Sequence, residues 1–180
     1  VVTERMRREA QTASKLRHPG IVDVTDIGET ADGRVYIVME LLEGQSVAQR
    51  LARNGRFTQR EALTIVRDAS VALAAAHAQG VIHRDIKPGN IVIDTKDERS
   101  VVKLVDFGIA LSTEHEDQRL TQVDALPGTP VYMAPEQAAK RESTELSDQY
   151  AMGVVLYELL TGSPPFHGPT GVETLAAKIT

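Results

Sequence analysis

The sequence predicts an α+β domain in which short strands pair locally and longer helices form the core. Apolar, β-branched runs separated by polar turns occur twice, over residues 21–39 and 91–105, and each favours an antiparallel hairpin. Two longer stretches, 58–80 and 147–161, carry apolar residues at helical spacing, and an N-terminal helix is predicted over residues 3–16.

Composition fits one domain, or a large piece of one. A chain of 180 residues that is 42% hydrophobic can bury a substantial core. The net charge of −5 argues against binding to nucleic acid, and the absence of cysteine excludes disulfides and thiolate metal sites. No apolar run approaches the ~18 residues of a membrane span. We therefore expect a cytoplasmic chain with no membrane segment.

Capping residues predict where the long helices begin and end. Thr58 and Glu61 form a capping box, and Gly80 stops the helix that they open. His77 near its end is predicted to be a packed histidine and not a ligand. Ser147 is predicted to cap the later helix, with Asp148 in its first turn.

The second hairpin brings reactive side chains together. Asn90 directly precedes its first strand and Asp106 directly follows its second, so antiparallel pairing places both at one end. An amide oxygen and a carboxylate are ligands that Mg²⁺ accepts. Just upstream, Lys87 offers positive charge to a phosphoryl group, and Asp85 offers an acceptor for a hydroxyl proton. The pattern predicts a phosphoryl-transfer site.

These residues lie in motifs that resemble the protein-kinase signature set. The motifs are HRDIKPGN at 83–90, DFG at 106–108 and APE at 134–136, in the order and spacing of that family. The resemblance covers essentially the whole chain and is closest to bacterial eukaryotic-like (Hanks-type) Ser/Thr kinases. Lys87, two residues after Asp85, is the Ser/Thr-kinase form of the loop.

The resemblance implies a protein-kinase-like two-lobed fold that is truncated. Residues 1–40 would form part of the small lobe and 41–180 most of the large lobe, with a hinge at 40–44. The catalytic loop would be 83–90 and the activation segment 106–136. The glycine-rich loop and the ATP-binding lysine would lie upstream, and the last large-lobe helices downstream. We therefore expect this piece alone to have negligible kinase activity.

The resemblance also implies cofactors and binding residues. The cofactors are ATP and Mg²⁺, or Mn²⁺ in its place. Asp85 would position the acceptor hydroxyl, Lys87 would stabilise transferring charge, and Asn90 and Asp106 would hold the metal. The implied nucleotide-binding residues are Glu9, Met39, Glu40, Leu42, Val92 and Asp106. Glu9 would pair with the upstream lysine, and the alternative is an ordinary surface glutamate. The alternative for Met39 is a residue that only fills the core.

Further residues would regulate or support the site. Thr121 lies where related kinases carry an activating phosphothreonine, the alternative being an ordinary loop threonine, and Arg84 would receive its phosphate. Thr129 would hydrogen-bond to the catalytic loop, and the residues after it would seat the substrate position following the acceptor. The implied structural residues are His83, which packs against Phe107, Phe107 itself, Glu136, and Asp148, which bonds to the catalytic-loop backbone.

The leading hypothesis is a Ser/Thr protein kinase that phosphorylates its own activation loop. A pseudokinase scaffold is the first alternative, disfavoured by the intact Asp85 and Asp106. A small-molecule kinase of the antibiotic-phosphotransferase type is the second, disfavoured by the 134–136 motif and by Thr129. Expected partners are ATP and protein substrates with Ser/Thr acceptors. Related kinases often carry a membrane span and dimerise between small lobes, so the resemblance allows a membrane anchor and a homodimer for the parent protein, although nothing in this sequence indicates either.

Overall fold

The computed structural model describes residues 16–32, 34–96, 100–107, 130–139 and 142–178. The strands are β1 Val24–Glu29, β2 Val35–Met39, β3 Gly44–Ser46, β4 Ile91–Asp94 and β5 Val101–Leu104. The helices are α1 Val47–Asn54, α2 Gln59–His77, the 3-10 turn Pro88–Asn90, α3 Pro135–Ala138, α4 Glu145–Thr161 and α5 Gly171–Ala176. The predicted helix at 3–16 and most of the predicted activation segment lie outside these residues.

The first predicted hairpin is confirmed. β1 and β2 pair antiparallel, with Gly28 opposite Tyr36. β1 begins three residues later than predicted, because the preceding residues pair elsewhere. Ile21 forms a parallel bridge with Leu104, and the Val22 amide donates to the Leu104 carbonyl at 2.9 Å. This contact attaches the first hairpin to the end of β5.

The second predicted hairpin is also confirmed and gains a third strand. β4 and β5 pair antiparallel, with Ile91 opposite Leu104, and both side chains are fully buried. β3 adds to the other edge of β4, where a Cβ on Gly44 would lie 2.0 Å from the Ile93 carbonyl oxygen. Only glycine allows this approach. A three-residue strand has too little alternation to be predicted from sequence.

Helix α2 begins as predicted. The Thr58 hydroxyl accepts from the Glu61 amide, and the Glu61 carboxylate accepts from the Thr58 amide. The helix ends at His77, and Gly80 follows in the turn with a φ of 74°. A left-handed residue of this kind is readily supplied by glycine.

The predicted cap of α4 is wrong by three residues. Thr144 is the N-cap and accepts from the Leu146 amide, whereas Ser147 lies within the first turn. The Ser147 hydroxyl accepts from the Thr144 amide at 3.1 Å and donates to Glu136 Oε1 at 2.6 Å. Serine and threonine are both favourable N-cap residues, but here the Ser147 side chain is used for the hydrogen bond to Glu136.

The core lies between α2, α4 and the three-stranded sheet, with α2 packed directly against α4. Ile86 and Phe107 belong to this core, and they flank the predicted catalytic residues in sequence. Their burial fixes the loops that carry those residues. Within the described ranges, no helix combines the length and apolar character needed to cross a membrane.

Candidate phosphoryl-transfer site

Three predicted catalytic residues form one hydrogen-bonded cluster. Asp85 Oδ2 accepts from Lys87 Nζ at 2.6 Å and from Asn90 Nδ2 at 3.1 Å. Asn90 Nδ2 also donates to the Asp85 carbonyl at 2.8 Å, which closes the loop on itself. The Asp85 and Lys87 side chains are 25% and 34% exposed. Asp85 Oδ1 receives no hydrogen bond from the described residues, so it is left as a partly exposed acceptor.

The strand ends bring Asp106 to this cluster. The Val105 amide donates to the Asn90 carbonyl at 3.0 Å and extends the β4–β5 ladder by one pair. Asp106 follows immediately with a φ of 59°, and Arg84 has a φ of 69°. They are the non-glycine residues with positive φ among those described. Such backbone conformations are uncommon and concentrate at functional sites.

The residues at the strand ends fit a Mg²⁺ ion that takes its remaining ligands from water and from substrate phosphates. Asn90 uses its amide nitrogen inside the loop, and this leaves Oδ1 as an acceptor. The Asp106 carboxylate is exposed and has no hydrogen-bond partner among the described residues. One carboxylate and one amide oxygen match an ion that keeps several waters and takes phosphate oxygens. In the described part of the chain, no three His, Cys, Asp or Glu side chains converge into a closed metal site.

Asp148 binds the backbone of the predicted catalytic loop. It is 1% exposed, and its carboxylate accepts from the His83 amide and the Arg84 amide, both at 2.8 Å. His77 Nε2 lies 2.8 Å from Asp148 Oδ2 as a third partner. Sequence reasoning placed His77 as a packed residue and missed this bond. The spacing along the helix could have indicated this bond. His77 follows the buried Leu73 by four residues and so lies on the same buried face, where a polar group needs a hydrogen-bond partner.

His83 is a structural residue in this geometry. It is fully buried, and its ring centroid lies 4.5 Å from that of Phe107. Nδ1 accepts from the Asp85 amide at 3.3 Å, so Nε2 carries the hydrogen and donates to the Val105 carbonyl at 3.0 Å. Burial lowers the pKa of His83 below its ordinary value. A neutral ring therefore links the catalytic loop to the residue before Asp106.

This burial predicts that acid destabilises the fold. The unfolded histidine binds a proton near pH 6.5, whereas the buried ring does so only at lower pH. The unfolded state then binds more protons below pH 6.5, so the free energy of unfolding should fall as pH falls from 7 to 5, by up to about 1.4 kcal/mol per unit. Urea unfolding at each pH measures this slope.

The matched controls are two histidine variants. His83→Gln should flatten the slope, and His167→Gln should leave it unchanged, because His167 is exposed. Equal slopes in the native protein and in His83→Gln would contradict a neutral buried ring.

The Glu40 side chain anchors the predicted hinge through contacts within the protein. Glu40 Oε1 accepts from the Asp23 amide at 2.8 Å and from Lys103 Nζ at 2.6 Å. Burial opposes ionisation of Glu40, but these hydrogen bonds hold its pKa below the ordinary value. The Glu40 carbonyl and both backbone groups of Leu42 form no hydrogen bond within the described ranges. Backbone groups of the hinge are therefore free to bind a ligand.

Side chains around the hinge are only partly covered. Met39 is 39% exposed, and Leu42 and Val92 are half-buried. Val92 pairs with Lys103 in the β4–β5 register, so the β4 residue predicted to contact nucleotide lies beside the hinge anchor. Sequence reasoning missed Lys103, because nothing local marks a lysine that bonds a residue 63 positions away.

The segment before α4 is tied to the catalytic loop. Gln137 Nε2 donates to the Arg84 carbonyl at 3.1 Å, and Gln137 Oε1 accepts from the Ala134 amide at 2.9 Å. Gln137 was not among the predicted site residues. The predicted residues Glu9, Thr121 and Thr129, together with Gly108 of the DFG motif, lie outside the described part of the chain.

A helical lobe beneath a small sheet, with Asp, Lys and Asn in one loop and an Asp at the adjoining strand end, defines a protein-kinase-like site. The chain belongs to the protein kinase domain family, whose model matches residues 2–180.

Several bacterial proteins are similar to the chain. It is 43% identical to serine/threonine-protein kinase pkn3 of Myxococcus xanthus, over 98% of the chain and 33% of that protein. It is 46% identical to serine/threonine-protein kinase PknE of Mycobacterium tuberculosis, over 93% of the chain and 29% of that protein. It is 44% identical to serine/threonine-protein kinase PknB of Mycolicibacterium smegmatis, over 93% of the chain and 27% of that protein. The chain spans between about a quarter and a third of the length of these relatives.

Proposed function

We propose that the full-length protein is a serine/threonine protein kinase, which transfers the γ-phosphoryl group of ATP to Ser or Thr hydroxyls of proteins. The observation that carries this proposal is the cluster of Asp85, Lys87 and Asn90 beside Asp106. The printed names of the similar bacterial proteins support the same reaction class.

Each residue of the cluster has a role in this reaction. Asp85 Oδ1 accepts the hydrogen bond of the attacking hydroxyl, while Oδ2 stays bound to Lys87 and Asn90. Lys87, already oriented by Asp85, places its positive charge next to the transferring phosphoryl group. Asn90 Oδ1 and the Asp106 carboxylate would hold Mg²⁺ or Mn²⁺, which when bound would neutralise the charge of the phosphates. The protein supplies orientation and charge, which this reaction chiefly needs.

The nucleotide would bind against the hinge. The Glu40 carbonyl and the Leu42 backbone groups hydrogen-bond adenine, and Met39 and Val92 contact its faces. The anchoring of Glu40 by Lys103 and Asp23 keeps that backbone in place. Glu9 orients an upstream lysine that contacts the ATP phosphates.

Activation would involve residues within and after the predicted catalytic loop. Thr121 is the site of autophosphorylation, and Arg84 receives its phosphate. Thr129 bonds Asp85 and Lys87, and Glu136 pairs with a downstream arginine. Residues 1–180 alone are inactive, and the full-length protein forms a homodimer between small lobes.

Intact mass after incubation with Mg²⁺·ATP tests the proposal. The full-length native protein should gain phosphate, with Thr121 among the mapped sites, and Asp106→Ala should gain none, because it loses a metal ligand. Asp68→Ala is the matched control, since Asp68 lies on α2 with its side chain 38% exposed and pairs there with Arg67, whose side chain is 69% exposed. No phosphate on the native protein, with added peptides also left unmodified, would favour a non-catalytic scaffold.

A further inference from the structure

One lysine near the end of the described chain binds three backbone carbonyls at once. Lys178 Nζ lies 2.5 Å from the Pro130 oxygen, 2.7 Å from the Val131 oxygen and 2.8 Å from the Met133 oxygen. An ammonium group has three hydrogens, so this arrangement uses its whole donor capacity. Lys178 follows α5 and joins that helix to a turn 45 to 48 residues earlier in sequence.

The surroundings of Lys178 retain it at this turn. Its ammonium lies 5.6 Å from the centre of the Tyr150 ring, a distance at which the ring face attracts a cation. Pro130 is buried, and Lys178 itself is half-buried. Arginine would fit this position poorly, because a planar guanidinium cannot direct three donors to three convergent carbonyls as an ammonium does.

The turn that Lys178 binds is part of a segment held against the catalytic loop. Four residues beyond Met133, Gln137 donates to the Arg84 carbonyl, next to Asp85. One residue earlier, Glu136 accepts from the Ser147 hydroxyl at the start of α4. Residues 134–137 are therefore held by α4 and the predicted catalytic loop. The 130–133 turn is held by Lys178 and by the Tyr132 hydroxyl, which donates to Glu158 on α4 at 2.6 Å.

We propose that Lys178 is a positioning residue for the peptide substrate. Its ammonium binds three carbonyls of the 130–133 turn, on which, by the resemblance to protein kinases, the residue after the acceptor would rest. This inference rests on the proposed kinase function and extends it to the choice of substrate. Among the described residues, Lys178 hydrogen-bonds to the 130–133 turn and not to the hinge or the Asp85 cluster, so its removal should weaken peptide binding and leave the nucleotide site intact.

Steady-state kinetics of Lys178→Met in the full-length protein test this role. The probe is a peptide array with one fixed threonine acceptor and a varied following residue. We expect KM for the best peptide to rise about tenfold, because charge-assisted hydrogen bonds are lost, and the preference at the following position to flatten. KM for ATP and ATP hydrolysis without peptide should stay within twofold of the native values.

Two further variants keep the test decisive. Lys96→Met removes an exposed lysine and should match the native protein. Lys178→Arg keeps the positive charge but cannot direct three donors to the three carbonyls, so it should raise KM for peptide by an intermediate factor. This variant also tests the inference if Lys178→Met does not fold. An unchanged peptide KM, or an equal loss of peptide and ATP binding, would overturn the inference alone. A native protein that phosphorylates no peptide would overturn the proposed function as well.

Discussion

Asp85→Asn should lower kcat for peptide phosphorylation by about 10²- to 10⁴-fold and leave the affinity for ATP nearly unchanged. Asp85 Oδ2 accepts from Lys87 and from Asn90, so an asparagine will turn its carbonyl oxygen toward these two donors. Its NH₂ group then occupies the place of Oδ1. The position that accepts the substrate hydroxyl becomes a donor, while the shape of the loop is retained.

Initial rates and ATP binding, measured on the full-length protein, check this result. Asp68→Asn is the control, because it makes the same chemical change at an aspartate on α2 whose side chain is 38% exposed. A variant that keeps a tenth or more of the native kcat would show that Asp85 does not engage the hydroxyl. A parallel loss of ATP affinity would point instead to collapse of the loop.

Asp148→Ala should reduce the free energy of unfolding by about 3–5 kcal/mol and reduce the rate of transfer as well. The substitution removes the acceptor of the His83 and Arg84 amides and of the His77 ring. Each buried donor left unsatisfied costs about 1–3 kcal/mol. The same two amides fix the backbone before Asp85, so the loop should lose its geometry.

Urea unfolding followed by circular dichroism measures the stability of the variants. Asp148→Asn should lie between the native protein and Asp148→Ala, because an amide oxygen keeps one acceptor. Glu145→Gln, at an exposed position in the first turn of the same helix, should change stability by less than about 1 kcal/mol. A loss below 1 kcal/mol in Asp148→Ala would mean that the carboxylate does not support the loop.

Local patterns predicted much of the fold. The β4–β5 hairpin needed only two β-branched runs and a polar connector, and its register followed from antiparallel pairing. The Thr58 capping box needed only residues three positions apart. The prediction of the α4 N-cap was wrong because two nearby residues are both suitable caps. Thr144 caps the helix, and Ser147 instead donates a hydrogen bond to Glu136.

The sequence alone predicted the candidate catalytic loop at 83–90, the strand ends that present Asn90 and Asp106, and the protein-kinase-like class. These depend on short-range spacing, which the chain encodes directly. Three contacts required the packed structure: His77 bonds Asp148, Lys103 anchors Glu40, and Lys178 binds the 130–133 turn. Those partners lie 45 to 71 residues apart, and their pairing depends on how α2, β5 and α5 pack, which no local spacing records.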